Sequence, residues 1–135
     1  MGVIEKLTRL EGSRGVEETL ALFDTGSTYS CITPELAEKL GTVEKLPRPL
    51  RLGTAKEGQE LTAEKRITLD FYLDSYRFSD EFLLIAELSE PVIIGAKTMQ
   101  AWRLKLDLEK EEVIIDPRVT KLRLPKIKAQ AVTAP

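Results

Sequence analysis

Residues 20–32 read Leu-Ala-Leu-Phe-Asp-Thr-Gly-Ser-Thr-Tyr-Ser-Cys-Ile and hold the strongest chemical signal in the chain. The apolar run Leu20–Phe23 has the character of a buried strand, and it stops at a single carboxylate, Asp24. Thr25, Gly26, Ser27 and Thr28 follow. That is the composition of a tight turn whose N–H groups and hydroxyls face back toward the carboxylate. Burying a charge costs several kcal/mol unless it is hydrogen-bonded or shares a proton, so a strand that delivers an aspartate to such a loop points to chemistry. The 135 residues include no histidine, which removes Ser-His and Cys-His catalysis and histidine-ligated metal sites. Carboxylates are the acid–base groups left to work near neutral pH. Cys31, the one cysteine, reads as a small packed residue, since no imidazole is at hand to activate it.

The elements that must hold this loop follow from the pattern on either side. Val3, Ile4, Leu7 and Leu10 mark a first strand, Glu11–Gly15 a turn, and Val16–Phe23 the returning strand of a hairpin. Thr33 as N-cap, Pro34 at the first helical position and Gly41 as a left-handed C-terminal residue punctuate a two-turn helix. Pro47 and Pro49 suit an edge segment before a strand at Leu50–Leu52. After a polar tip at Thr54–Gln59, Leu61, Ala63, Ile67, Leu69, Phe71 and Leu73 recur at strand period. Further strands are expected at Tyr76–Ala86 and Val92–Ile94, then a short helix from Ala96 to Ala101. Trp102–Leu108 and Glu112–Asp116 make a small hairpin, and Val119–Leu124 a last strand. The sum is roughly nine strands and two short helices, a mainly β chain best closed as a small barrel.

Length suits one domain. A net charge of -2 speaks against nucleic acid as a partner. No apolar stretch reaches the roughly 18 residues of a membrane span, so no membrane contact is expected. The lone cysteine and the want of a signal-peptide pattern set the expectation of a cytoplasmic protein. After Asp116 there are no acids, while Arg118, Lys121, Arg123, Lys126 and Lys128 make the tail basic.

Leu22-Phe23-Asp24-Thr25-Gly26-Ser27 resembles the active-site loop of aspartic proteases, and the length points to their single-domain, retroviral-type branch, the retropepsins. The polar hairpin over residues 52–61 stands where that family has its flap. Val92-Ile93-Ile94-Gly95 resembles the apolar-apolar-glycine segment that packs beside the loop, and a short helix follows it, as in the family. The resemblance implies a retropepsin-like domain over 1–116, a small closed acid-protease-type β-barrel with one or two short helices. Residues 117–135 then form a basic strand or tail, and Met1–Ile4 with part of 112–124 are candidates for an intersubunit sheet. Ser27 departs from the alanine usual in retroviral enzymes, Ala96-Lys97 replaces their Arg-Asn or Arg-Asp brace, and the flap tip has only Gly58.

The activity implied is that of an aspartic-type endopeptidase. Hydrolysis by carboxylates takes one acting as base toward a water and one as acid toward the carbonyl oxygen. The chain supplies one such loop, so a homodimer pairing Asp24 with its copy is expected. Two carboxylates about 3 Å apart at an effective dielectric of about 20 repel by roughly 5 kcal/mol, so the pair shares a proton, as is known for this class of dyad. By the resemblance, Gly26 gives its N–H to the carboxylate, Thr25 bonds across the dimer axis, and Gly95 supports the loop. Ser27 would donate to the outer oxygen of Asp24, lowering the dyad's pKa. An extended polypeptide would bind beneath the flap residues Thr54, Ala55, Lys56, Glu57 and Gly58. No cofactor and no metal is called for. Three other readings fit parts of the pattern: a purely structural turn aspartate, a catalytically silent retropepsin-fold dimerisation or peptide-binding module, and a phosphate loop. Asp24-Thr25-Gly26-Ser27-Thr28 also resembles the Asp-x-Gly-x-Thr of actin-like kinases, but those need two large α/β domains.

Overall fold

The structure, a computed structural model, describes residues 2–54, 57–121, 123–126 and 128. β1 (Val3–Glu11) and β2 (Val16–Asp24) form a hairpin in register from Glu11↔Val16 to Val3↔Asp24. At its turn the Gly12 N–H donates to the Gly15 carbonyl at 2.9 Å, and the Leu40 backbone carbonyl occupies the space a Cβ on Gly12 would need. The chain continues through β3 (Cys31–Ile32), α1 (Pro34–Leu40), β4 (Glu44–Gly53), β5 (Glu60–Leu73) and β6 (Tyr76–Leu84). β7 (Val92–Ile94), α2 (Ala96–Ala101), β8 (Lys105–Asp107), β9 (Glu112–Ile114) and a 3-10 turn, Pro117–Thr120, complete it.

The main sheet runs β1-β2-β7-β3-β6-β5, and β5 pairs back onto β1, which closes six strands into a barrel. β4 lies on the outside of β5, and β8–β9 form a separate ribbon. The mainly β, closed-barrel expectation holds. Hairpins alone do not make it, though: β2–β7 and β3–β6 are parallel pairs. A strand from late in the chain is thereby inserted between β2 and β3, directly beside the loop that Asp24 begins.

Alternation along β5 buries Ala63, Ile67, Leu69, Phe71 and Leu73 as its pattern dictates. Phe71 stacks on Phe78 at 5.3 Å, meets Phe82 edge-on at 6.3 Å, and Phe78 meets Trp102 edge-on at 5.4 Å. Truncating one of these fully buried phenylalanines to alanine costs about 3–5 kcal/mol.

Local punctuation differs from expectation at several points. The Thr33 side chain makes no capping bond; its backbone carbonyl accepts the Ala37 N–H at 3.1 Å instead. Gly41 is extended at φ -178, so its value lies in the tight approach of Ser13 rather than in a left-handed turn. β4 takes in both prolines, with its pairing to β5 interrupted between Lys45 and Leu50 where an N–H is missing. The strand expected at Val119–Leu124 is replaced at its start by the 3-10 turn, which Pro117 preorganises. The Asp116 carboxylate caps that turn by accepting the Arg118 N–H at 3.0 Å.

Candidate active site

β2 carries Asp24 out of the barrel wall, and the loop that follows is built by short-range bonds. The Gly26 N–H donates to Asp24 Oδ1 at 2.8 Å, as the motif implies. The Ser27 N–H donates to the Asp24 carbonyl at 3.1 Å and closes the turn. Asp24 is half-buried, while Thr25 and Gly26 are exposed. Thr25 is tied within its own chain: its N–H donates to the Gly2 carbonyl at 3.1 Å, and its Oγ1 accepts the Gly2 N–H at 2.9 Å.

Ser27 takes a different role from the one expected of it. Its hydroxyl donates to the Tyr29 carbonyl at 2.8 Å, so its one proton is spent on the loop backbone and not on the Asp24 carboxylate.

The β7–α2 junction supports the loop from behind. Gly95 is buried, and a Cβ placed there would stand 2.5 Å from the Tyr29 carbonyl oxygen and 2.7 Å from that of Ser27. Only glycine lets the two backbones approach so closely. The next two amides use this proximity: Ala96 N–H donates to the Ser27 carbonyl at 2.7 Å and Lys97 N–H to that of Thr28 at 3.1 Å. At Ala96-Lys97, the departure from the family's Arg-Asn or Arg-Asp, the Lys97 ammonium sits 4.7 Å over the Tyr29 ring.

A cavity of about 350 Å³ opens between this loop and the β4–β5 hairpin. Gly26, Ser27, Thr28, Tyr29 and Cys31 line one side, Arg51, Leu52, Gly53 and Leu61 the hairpin side, and Ile85, Leu88 and Ile93 the floor. Loop and hairpin therefore share one space, with apolar side chains beside the polar loop and Arg51. Asp24 is not among its walls; one chain encloses the space beside the carboxylate, not around it.

Among the flap residues named from the sequence, Thr54 bonds across the tip, its N–H to the Gln59 carbonyl at 3.2 Å. Glu57 and Gly58 are exposed, Gly58 at φ +78, and neither lines the cavity; nor does Thr54. Ala55 and Lys56 lie outside the described residues. The hairpin lines the cavity with Arg51, Leu52, Gly53 and Leu61; of these Leu52 and Leu61 stand opposite each other in register, on the strand parity of β5 that also buries Ala63. Tyr29, Ile85 and Leu88 carry no motif, and only the closed barrel brings them to the site. Cys31 lies at the cavity's edge with its thiol pushed up to about 11 by burial, a neutral and unreactive group at neutral pH.

The sequence profile of aspartyl proteases matches residues 9–98, a span that takes in the Asp24 loop, the β4–β5 hairpin and Gly95. The retroviral protease-like domain of Ddi1 from Leishmania major superposes with a TM-score of 0.63 at 19% identity, over 86% of this chain and 90% of that one. The Simian foamy virus (mac) protease gives a TM-score of 0.46 at 15% identity, over 73% of this chain and 92% of its own. No curated protein matches. With two-thirds of its length inside the family profile and a retropepsin-like barrel around the loop, the chain belongs to the aspartyl protease family.

Proposed function

We propose that this chain is an aspartic endopeptidase that acts as a homodimer on extended polypeptide, pairing Asp24 with the Asp24 of a second copy around one shared proton and an attacking water. The observation that carries the reading is Asp24, half-buried and held by the Gly26 N–H at 2.8 Å, in a loop whose next residues, Gly26 to Tyr29, line a cavity roofed by the β4–β5 hairpin. Among the described residues no other carboxylate bonds to this loop, so the acid to complement the base comes from a twofold-related copy. One carboxylate takes the proton of the water as it attacks, and the other gives its proton to the carbonyl oxygen. Substrate backbone lies along the hairpin, with an apolar side chain in the cavity beside Tyr29 and Ile85. The Thr25 hydroxyl reaches the Gly2 carbonyl only at 3.3 Å, a weak bond that the partner's loop replaces when the dimer forms. Cys31, alone and buried, fits a reducing compartment, and we place the protein in the cytoplasm.

The test compares wild type with Asp24→Asn on a denatured protein substrate across about pH 3–8, alongside sedimentation of both. Cleavage by the wild type, its loss by a factor of about 10³ or more in Asp24→Asn, and a dimer in each is the expected result. A dimer that cleaves at no pH would leave a peptide-binding module in its place.

A further inference from the structure

Behind the catalytic loop lies a chain of hydroxyls whose direction is fixed. Ser30 and Thr98 are 3% and 1% exposed, and their oxygens are 2.6 Å apart. Thr98 Oγ1 donates to Asp80 Oδ2 at 2.6 Å, and Asp80 Oδ1 accepts the Glu81 N–H at 2.8 Å. A carboxylate only accepts, so the one Thr98 proton is committed to Asp80. Ser30 must then donate to Thr98, which leaves the Ser30 oxygen free to accept. It accepts the Gly95 N–H at 2.9 Å. The result runs one way, from Gly95 N–H to Ser30, to Thr98, to Asp80, and it links the β7–α2 junction and the end of the Asp24 loop to β6.

We propose that Ser30, Thr98 and Asp80 are positioning residues for the protease reaction: their relay fixes Gly95, and through the Ala96 and Lys97 amides it sets where the Asp24 loop stands. The proposal rests on the aspartic-endopeptidase reading above. None of the three touches the reacting atoms. Each bond in the relay depends on the acceptor at its far end, because Asp80 imposes the polarity; an amide there would offer a donor to one of the two donors it now satisfies. A relay with both hydroxyls buried and a carboxylate fixing its direction resists rearrangement, which suits a loop whose carboxylate must meet its copy in a defined geometry.

The experiment uses Thr98→Val, which keeps the shape and deletes the hydroxyl, with Thr98→Ser as the conservative rescue and Asp80→Asn as a half-buried alternative should the valine variant fail to fold. Steady-state cleavage and amide hydrogen exchange at Gly95, Ala96 and Lys97 are measured on each. Expected are a kcat lowered about tenfold or more with KM within about twofold in Thr98→Val, near-wild-type kcat in Thr98→Ser, and exchange at Gly95 accelerated about tenfold in Thr98→Val. Equal kcat in wild type and Thr98→Val, or a serine variant as impaired as the valine one, overturns the proposal. Should the wild type not cleave at all, the endopeptidase reading fails on its own, and exchange still decides the relay: unchanged protection at Gly95 in Thr98→Val sinks it.

Discussion

A serine hydroxyl has one proton to give, and that of Ser27 goes to the Tyr29 carbonyl. A serine in place of the retroviral alanine therefore stiffens the turn after Asp24 and leaves the carboxylate's hydrogen bonding to the Gly26 amide. Ser27→Ala should cost about 1 kcal/mol of stability, the net worth of one hydrogen bond, and leave the acid limb of the pH–rate profile where it is in wild type. A limb displaced upward by half a unit or more would mean that the hydroxyl turns to Asp24 in the working assembly, where it would favour the charged form. The turn of Asp24, Thr25 and Gly26 at the end of a strand was legible because a strand, a carboxylate and a turn are local in sequence. The direction of the Ser27 hydroxyl was not. It is chosen by which acceptor lies nearer, and the Tyr29 carbonyl is brought there by the packing of residues 27–29 on Gly95.

β7 and α2 show how an element of three residues and a helix of six can govern the site. β7 joins β2 in parallel through Leu22↔Ile93 and Phe23↔Ile94, and that register sets Gly95 behind the loop. A methyl at this position would meet backbone atoms of Tyr29 and Ser27, which cannot rotate away as a side chain can. Gly95→Ala is expected to displace the loop, lowering kcat/KM by about 100-fold and stability by about 1–3 kcal/mol. Cleavage assays and urea melts on the same preparation would check this; full activity in the alanine variant would show that the loop is held elsewhere. The apolar run ending in glycine signalled the contact from the sequence, and the strand periods of β5 and β6 gave the barrel's long walls. The parallel pairings were illegible, since strand patterns record which face is buried and not which neighbour lies alongside. The hairpin was legible, but not which of its residues line the cavity. A polar tip draws attention, whereas Leu52 and Leu61 reach the cavity because they fall on the inward parity of the β4–β5 ladder.

At the scale of the whole molecule, one end of the barrel gathers the Asp24 loop, the N-terminal residues and the β8–β9 ribbon. Gly2 bonds to Thr25, Val3 stands opposite Asp24 in the hairpin, and Leu108 lies against Gly2. Val3 is 54% exposed and Leu108 53%, large apolar groups left in solvent beside the Asp24 loop. The homodimer proposed above would place its second copy over these groups, taking them out of water. An isologous contact counts every change twice, so one substitution introduces two charges into the interface. Leu108→Glu should therefore shift the protein to monomer in sedimentation at concentrations where wild type is a dimer, and abolish cleavage along with it. The fold should survive, because a half-exposed side chain changed to a charged one costs within about 0.5 kcal/mol away from special features. Near-wild-type melting of the glutamate variant, with activity returning as its concentration is raised, would tie chemistry to assembly. A glutamate variant that remains dimeric and active would instead move the twofold axis away from this end of the barrel, and with it the geometry by which one Asp24 finds another.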